Sequence, residues 1–422
     1  MEHPRDRLQR SAGFSRREFL KRSAGAALAV TGAGAVLAAC QNSSSAGRGG
    51  ASTPASLPLA RPDHPVKWPI FSDNQAIVSG MQPEKGATLQ LYNWVDYIYK
   101  KVVDDFAAQY DCKVNINTFN TMDEAIAKIR AGQQPFDVFF PTPDVVGKLV
   151  EFKYLRPLNH SYIPNIDQVW PQFQNPFYDE GWQYTVPYTI YTTGIAWRTD
   201  HVSTDVGSMS NPYDIFWDTK YKGEVELLDD YREVISMVLL KNGITNVNTC
   251  SQSQLNMVRN QLVQLAHIMD PRVAISDYSD LPSGKVWITQ AWSGDMINSQ
   301  YYGPKGFDPG ILRYWYQPKV APTFNDMMAI LSSGQNPVLS HLFLNYMLDY
   351  RNAMKNFSWN GYQPPQRKVN PSLLVQQGYI PKNLSTAVVT PEQYDTGSRE
   401  LELPPSCDAA WHTVWTQFQA GG

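Results

Sequence analysis

Periodic apolar positions divide the chain from residue 87 onward into short strands and helices. The segment Thr88–Asn93 alternates as a strand does, and Val102–Tyr110 places Val103, Phe106 and Ala107 on one helical face. The same pattern then predicts strands at Lys113–Thr118 and Asp137–Phe140, and helices at Met122–Ala131, ended by Gly132, and at Val145–Glu151. Strands that alternate with helices in short units predict an α/β fold whose parallel sheet is covered on both faces.

The middle and the end of the chain continue in the same style, without an internal repeat. The pattern predicts strands at Gly223–Leu228, Val286–Ala291 and Ala329–Leu331, and helices at Glu233–Asn242, Gln254–Ile268, Pro337–Met347 and Ala409–Phe418. Ligands of such sheets lie at the carboxyl ends of the strands. In the first part of the chain we therefore expect a site near Asn93–Tyr97 and Pro141–Asp144.

The first 40 residues have the pattern of an export signal. Ser15–Lys21 (S-R-R-E-F-L-K) contains the paired arginines of a twin-arginine signal, and the apolar run Ala24–Ala39 is too short to span a bilayer as a mature helix. The run ends in L-A-A-C, a lipobox, so we expect cleavage before Cys40 and lipidation of its thiol. The predicted division is a signal peptide over 1–39 and a lipidated linker over 40–86, because Gln41–Ser56 is rich in Ser, Gly and Ala.

The composition and the export signal together predict that the chain after the linker is globular and lies outside the cytoplasm. The chain has 422 residues with 43% hydrophobic and 18% charged side chains, and the part beyond residue 87 suffices for two domains. A formal net charge of −3 argues against a nucleic-acid partner. No later stretch is apolar enough for a transmembrane helix. We expect the protein in the periplasm or on the outer face of the cytoplasmic membrane, held there by its lipid.

Neither a metal site nor a catalytic motif stands out. The sequence lacks C-x-x-C, H-E-x-x-H, G-x-S-x-G and Walker A patterns, although composition alone leaves a glycosidase-like carboxylate pair open. An oxidising compartment permits one disulfide among Cys112, Cys250 and Cys407, and we expect Cys250 with Cys407. We therefore predict no cofactor, no metal and no enzymatic activity.

Aromatic residues stand beside carboxylates at several predicted strand ends. The clusters are Trp94, Asp96 and Tyr97; Asp229–Glu233 (D-D-Y-R-E), which contains Asp230, Tyr231 and Glu233; Trp292 with Asp295; and Phe324 with Asp326. An alkylammonium group has three N–H donors that carboxylates satisfy, and aromatic faces attract the cation. Structural roles are the alternative: helix capping by Asp230, packing by Trp94, and a strand-start or hinge position for Asp326.

These clusters resemble the spermidine/putrescine-binding proteins of ABC importers. The resemblance begins at Leu91–Tyr97 (L-Y-N-W-V-D-Y) and covers nearly all of the following chain. It continues in order through Phe136–Val138 with Pro141, Tyr221–Gly223, Leu228–Asp230 with Arg232–Val234, Trp292–Asp295, Asp326 and Gly361–Tyr362. The order and spacing of these short motifs make the match specific.

The resemblance implies a two-lobe, periplasmic-binding-protein-like (type II) α/β fold with Rossmann-like lobes joined by hinge strands. The implied lobes are residues 87–190 with 325–370, and residues 191–324 with 371–422. It also implies the roles of the site residues. Trp94, Asp96 and Tyr97 line the cleft from the first lobe, Glu233 and Asp326 each bind an ammonium group, and Asp295 is a further acceptor. Trp292, Phe324 and Tyr362 are aromatic walls, Thr142 supplies a hydroxyl after the third strand, and Asp230 and Asp144 lie beside the ligand.

The implied function is delivery of putrescine or spermidine, by a monomer, to the permease of an ABC importer. W-x-G-D and Phe324–Asp326 resemble the putrescine-preferring branch, whereas Asp230 resembles the spermidine branch. Asp144 replaces an aromatic of the spermidine binders, and their C-terminal glutamine has no counterpart around Glu400–Leu403. Three alternatives stay open: another solute, such as a cationic amino acid, an opine or an iron chelate; a secreted enzyme on a similar fold; and a signalling receptor.

Overall fold

The structure is a computed structural model that describes residues 58–132 and 134–421. The predicted twin-arginine signal, the lipobox with Cys40 and the Ser/Gly-rich segment after it lie outside the described residues. None of the helices in the described ranges is both long and apolar enough to cross a membrane.

The described part of the chain contains one mixed sheet of ten strands. The strands are β1 (Thr88–Trp94), β2 (Lys113–Phe119), β3 (Val138–Phe139), β4 (Leu155–Arg156), β5 (Thr185–Arg198), β6 (Val225–Leu228), β7 (Arg272–Ala274), β8 (Ile288–Trp292), β9 (Leu312–Trp315) and β10 (Thr323–Leu331). Their order is β2-β1-β3-β10-β5-β8-β6-β7, with β4 beside β10 and β9 beside β5. The pairs β1/β2, β1/β3, β6/β7 and β6/β8 are parallel, whereas β5 and β10 run antiparallel to their neighbours.

Helices cover both faces of this sheet, as the sequence pattern predicts. They are α1 (Lys100–Gln109), α2 (Met122–Ala131), α3 (Val146–Glu151), α4 (Tyr231–Lys241), α5 (Gln252–Met269), α6 (Asp277–Ser283), α7 (Ser293–Ser299), α8 (Pro337–Leu348), α9 (Tyr350–Asn360), α10 (Pro371–Gln376), α11 (Pro391–Thr396) and α12 (Pro405–Gln419). The predicted elements match these bounds to within a few residues. Gly132 ends α2 in the left-handed conformation, at φ 62°.

Two long strands connect the halves of the sheet, and the sequence pattern missed their extent. The predicted strand Ala329–Leu331 is the end of the longer β10, and β5 was not predicted. Both are buried along almost their whole length, so their residues do not alternate between apolar and polar. Phe324–Asp326, expected before the strand, therefore lies inside it.

The hydrophobic core divides on either side of these two strands. One cluster packs β1, β3, α1 and α8, and another packs β6, α4, α5 and α12. Met354 and Phe357 of the segment 325–370 pack in the cluster of Leu281 and Leu374, on the second side. Val389 and Tyr394 of the segment 371–422 pack with the first side. The residue-by-residue lobe boundaries stay a prediction.

Residues 58–74, which the sequence analysis assigned to the flexible linker, instead pack on the body; we call them the N-terminal strap. Trp68 is 4% exposed and its indole N–H donates to the Tyr178 carbonyl at 2.7 Å. Gly147 makes room for this ring, since a Cβ there would lie 2.8 Å from it. Arg61 donates to the Glu402 carbonyl at 2.7 Å. The polar, proline-rich sequence concealed this packing because Trp68 is the only buried apolar side chain between residues 58 and 74.

A disulfide joins the loop before α5 to α12. It links Cys250 and Cys407, as predicted, across 157 residues of sequence, and Cys112 is the free thiol among the described cysteines. Closing so long a loop lowers the entropy of the unfolded chain, which stabilises the second side of the molecule.

We expect Trp68→Ala to lower the free energy of unfolding by about 3–5 kcal/mol, as removal of a buried indole does. Urea denaturation of the mature domain measures the change. Lys67→Ala, at an exposed neighbouring position, is the matched control and should leave stability unchanged. Equal stability of the two variants would mean that residues 58–74 are a free tether.

Candidate functional site

The predicted site residues lie where the parallel strands end and where the two long strands cross the sheet. Trp94 ends β1, and Asp230 and Glu233 follow β6. Trp292 ends β8, and Asp295 lies in the first turn of α7. The fold thus places residues from distant parts of the sequence at one edge of the sheet, where ligands of such sheets bind.

Asp326 lies at the centre, buried on β10 beside a bulge between residues 326 and 327. The Tyr97 hydroxyl donates to Asp326 Oδ2 at 2.7 Å, and the Tyr191 hydroxyl donates to Oδ1 at 3.2 Å. Tyr97 also shares a hydrogen bond of 2.5 Å with Thr189 of β5. No Lys or Arg of the described ranges forms an ion pair with Asp326. Burial therefore raises the pKa of Asp326 to about 7, and the Asp144 carboxylate adds to that rise.

Four aromatic rings surround this carboxylate. Tyr362 meets Tyr97 edge-on with centroids 4.8 Å apart, and meets Tyr191 in the same way at 5.4 Å. Tyr191 stacks on Phe324 at 5.1 Å. Of these, Tyr191 was not predicted as a site residue, because it lies on the unpredicted strand β5.

The glycine of the W-S-G-D motif makes room for this group. A Cβ on Gly294 would lie 2.5 Å from the ring of Tyr362, and one on Gly361 would lie 2.4 Å from the Gly294 carbonyl. Gly361 also has φ 77°, which favours glycine. The two motifs, far apart in sequence, therefore pack directly against each other.

Glu233 begins a second group of acidic residues, in the first turn of α4. Asp230 caps this helix by accepting from the backbone N–H groups of Arg232 and Glu233, as the structural alternative anticipated. Glu233 Oε1 accepts from Thr193 at 2.7 Å and from the Trp292 indole at 2.6 Å, whereas Oε2 is buried without a hydrogen-bond partner.

Other carboxylates lie near Glu233. Burial, together with the charges of Glu400 and Asp230, holds the pKa of Glu233 well above its usual range. Burial raises the pKa of Glu400 to about 8, opposed by Arg232. Burial is the main cause of the raised pKa values of Asp230 and Glu400, and the charge of Asp144, which follows β3, adds to both. Glu400 lies in the segment where the spermidine binders have a glutamine, and the sequence did not predict a role for its carboxylate.

A third acidic group surrounds Asp295. Burial raises the pKa of Asp295 to about 7, and the charge of Asp96 contributes. Asp277, fully buried at the start of α6, is its neighbour. It was missed although it stands beside Tyr278, because the short strand β7 that precedes it was not predicted. Asp96 itself is exposed and has φ 52°. No cluster of His, Cys, Asp and Glu in the described ranges is arranged to hold a metal ion.

Trp94 and Thr142 have packing surroundings. The Trp94 indole donates to the Phe140 carbonyl at 3.1 Å and its ring lies 4.6 Å from that of Phe119. Thr142 precedes the 3₁₀ turn Pro143–Val145 without capping it through its side chain. Both are partly exposed, so their proposed contacts with a ligand stay predictions.

Comparison with known proteins identifies relatives along most of the chain. Residues 101–379 match the family model described as bacterial extracellular solute-binding protein. The chain is 28% identical over 337 residues to spermidine/putrescine-binding periplasmic protein 1 of Haemophilus influenzae, covering 78% of this chain and 83% of the relative. It is 24% identical over 339 residues to the putrescine/cadaverine-binding protein of Pseudomonas aeruginosa, covering 78% and 93%.

Solved structures show the same fold. The spermidine/putrescine ABC transporter substrate-binding protein PotD of Streptococcus pneumoniae matches with a TM-score of 0.65 at 24% identity, covering 79% of this chain and 99% of that one. The TpPotD lipoprotein of Treponema pallidum matches with a TM-score of 0.64 at 19% identity, covering 78% and 99%. The predicted two-lobe α/β fold is confirmed.

We expect Asp326→Asn to stabilise the ligand-free protein at alkaline pH. Burial raises the pKa of Asp326 from its ordinary value of 3.8 to about 7, so the folded state binds this proton more tightly than the unfolded state. The resulting stabilisation is complete below about pH 4 and is lost as the pH rises through 7. The variant should match wild type near pH 4 and exceed its free energy of unfolding by on the order of 2–4 kcal/mol at pH 8.

Urea denaturation across this pH range tests the expectation, with Asp205→Asn at an exposed position as the control. Among the described residues, the groups that act on the charge of Asp326 are Tyr97, Tyr191 and Asp144, and none of them is a cation that would offset it. Identical pH profiles for wild type and Asp326→Asn would show that Asp326 is solvated.

Proposed function

Because this chain belongs to the bacterial extracellular solute-binding protein family, as its resemblance to the polyamine-binding members indicated, we propose that it binds a polyamine. Its relatives are substrate-binding components of transporters, so the chain is a binding protein and not an enzyme. The proposed ligand is putrescine or spermidine, held in the aromatic and acidic cleft around Asp326 and delivered to the permease of an ABC importer.

The observation that carries this proposal is a buried carboxylate without a cation. Asp326 is 4% exposed, and its described partners are the hydroxyls of Tyr97 and Tyr191. A buried charge of this kind is costly unless an opposite charge pairs with it. An ammonium group between Asp326 and the surrounding rings supplies that charge, and the rings attract the cation by about 0.5–2 kcal/mol each.

The other acidic groups favour a ligand with more than one charge. Burial raises the pKa of Tyr191, and the charges of Asp326 and Glu233 add to that rise. Burial likewise raises the pKa of Tyr362, with a contribution from Asp295. Each of the three carboxylates therefore lies within electrostatic range of an aromatic hydroxyl. This arrangement suits ammonium groups separated by methylene chains, which prefer contact with aromatic walls over contact with water.

The roles of individual residues follow from their sides of the sheet. In this proposal Trp94, Asp96, Tyr97, Thr142 and Asp144 contact the ligand from the first lobe. The second lobe contributes Asp230, Glu233, Trp292 and Asp295, and the crossing strand β10 contributes Phe324 and Asp326. Tyr362, which packs in the core of the first side, completes the set. Ligand contacts from both sides stabilise the closed form only to the extent that the ligand binds it more tightly than the open form.

The choice between the two polyamines depends on the acidic group around Glu233. The W-S-G-D and Phe324–Asp326 motifs favour putrescine, whereas Asp230 and Glu400 add carboxylates at that end of the cleft. A third ammonium group would find acceptors there. The rank order of affinities decides the question.

Calorimetric titration of the mature domain, stripped of ligand by unfolding and refolding, tests the proposal. We expect one-to-one binding of putrescine, spermidine or cadaverine, and none of arginine. Asp326→Ala should weaken binding by on the order of 2–5 kcal/mol because it leaves a buried ammonium group unpaired. Asp205→Asn, at an exposed position, should bind as wild type does. If a folded sample binds none of these polyamines, the fold assignment stands and another organic solute becomes the favoured ligand.

Lipid anchoring is the second part of the proposal, supported by the L-A-A-C lipobox and the twin arginines in the sequence. We expect Cys40→Ser to release the protein from the membrane fraction, because acyl chains provide the anchor at roughly 0.8 kcal/mol for each buried CH₂. Cell fractionation and mass spectrometry of the mature N-terminus measure this. Cys112→Ser is the matched control, and membrane association of both variants alike would contradict lipidation at Cys40.

A further inference from the structure

Asp277 is a buried carboxyl group that the proposed ligand contacts do not include. It lies in the first turn of α6, is 0% exposed, and neither of its oxygens receives a hydrogen bond from a donor group of the described residues. The neighbouring cations, Arg272 and Lys285, pair with Glu226 and Asp280 instead. An ionised carboxylate in such surroundings is costly, because burial removes its hydration and no opposite charge replaces it. Asp277 therefore favours its protonated form.

The side chain that faces Asp277 is Asp295, in the first turn of α7. Helices α6 and α7 pack against each other, and the two carboxyl groups lie within hydrogen-bonding distance. Two carboxylates at that distance repel each other unless a proton lies between them. The pair therefore holds at least one proton, and one carboxyl group donates a hydrogen bond to the other.

The surroundings decide which of the two groups keeps the proton. Burial raises the pKa of Asp277 well above its usual range, and the charges of Asp295 and Glu226 add to that rise. Asp295 is 7% exposed, and burial raises its pKa to about 7, opposed by the hydrogen bonds from Asp277 and Tyr362. Asp277 is therefore the donor of the pair and Asp295 the acceptor.

We propose that Asp277 is a positioning residue: it holds a proton, donates a hydrogen bond to Asp295, and so keeps the Asp295 carboxylate ionised and oriented toward an ammonium group. The inference rests on the proposed function, in which Asp295 contacts the ligand. A buried carboxylic acid that stays neutral in order to donate is a known use of an apolar environment. When the ammonium group binds, the ligand-free molecules in which Asp295 is protonated release that proton to the solvent, and Asp277 keeps its own.

Several other titratable groups act on this pair, so the test must observe Asp295 itself. Burial raises the pKa of Glu226 to about 7, and that of Asp326 to about 7 as well. The pH dependence of affinity alone would therefore report several groups together. The groups around the pair are Tyr278 of α6, Glu226 of β6, Asp96 after β1 and Tyr362 after α9.

NMR of the ligand-free mature protein, with isotope-labelled aspartate carboxyl carbons, measures both protonation states. Asp277→Asn and Asp295→Asn assign the two signals. We expect the Asp277 carboxyl group to be protonated at pH 7 and Asp295 to titrate near that pH. Asp277→Ala removes the donor, so Asp295 should titrate about 1–2 pH units higher, the shift that one hydrogen bond to a charged group produces. Asp277→Asn replaces the O–H donor by an N–H donor and should keep the wild-type midpoint.

The affinity for putrescine and spermidine should follow the same order. At pH 7 we expect Asp277→Ala to weaken binding by about 5- to 50-fold, because Asp295 would be ionised in only about one molecule in ten to one in a hundred. The loss should be smaller at pH 8, and Asp277→Asn should bind as wild type does. Ser279→Ala, on the same helix, removes a hydroxyl that donates to the Ser276 carbonyl at 3.0 Å, and as the control it should change neither the midpoint nor the affinity.

The sign of the shift separates a protonated donor from an ionised neighbour. An Asp295 midpoint that falls or stays unchanged in Asp277→Ala would overturn the inference, since loss of a nearby negative charge lowers that midpoint. An ionised Asp277 at pH 7 in wild type would overturn it as well, which keeps the test decisive if Asp277→Ala does not fold. Equal losses of affinity in Asp277→Ala and Asp277→Asn would indicate a purely structural role and would also contradict it.

The proposed function fails separately from this inference. A wild type that binds a polyamine while Asp277 is ionised overturns the inference and leaves the polyamine function standing. The expected NMR midpoints in a wild type that binds neither putrescine nor spermidine would overturn the proposed function, and the role of Asp277 toward the ligand with it. A raised midpoint and weaker binding in Asp277→Ala, both restored in Asp277→Asn, support both.

Discussion

Burial of carboxylates without cations is the constraint on which the rest of this structure depends. Asp326, Glu233 and Asp295 are each at most 7% exposed, and no Lys or Arg of the described ranges forms an ion pair with them. Burial raises all three pKa values for the same reason: the charged form loses its hydration. Hydroxyl and indole donors offset part of that cost. The part of the desolvation cost that these donors do not offset destabilises the ligand-free cleft. A polycation would lower that cost by pairing with the carboxylates.

The strands that connect the two sides of the sheet also carry the centre of the site. Asp326 lies on β10 beside its bulge, and Tyr191 and Thr189 lie opposite on β5. A change in the twist of these strands therefore moves the acceptors themselves. The Gly294–Tyr362 contact adds a second coupling, because the aromatic wall packs directly on the turn that carries Asp295. The proposed ligand contacts and the geometry of the two sides consequently depend on the same few residues.

Sequence alone predicted the features that are local or that belong to a motif. Helix α2 with its Gly132 cap and strands β1 and β2 follow from periodicity, and the motif residues Asp326 and Tyr362 follow from the resemblance. Residues whose roles depend on distant partners were missed. Asp277 matters only because α6 packs beside α7, and Glu400 only because the tail returns to α4. Strand β5 was missed because burial on both faces removes the alternation by which strands are recognised.

The N-terminal strap has a mechanical consequence. Trp68 is inserted in the first side of the molecule, whereas Arg61 is bonded to Glu402, next to Leu401 and Leu403, and Leu403 packs in the core of the second side. A force applied to the chain before residue 58 therefore acts on the Arg61–Glu402 hydrogen bond first. It acts on the buried Trp68 side chain and on β5 and β10 only afterwards. Tension from that end would load a contact between the two sides first, so a tethered molecule and a freely diffusing one need not open with equal ease.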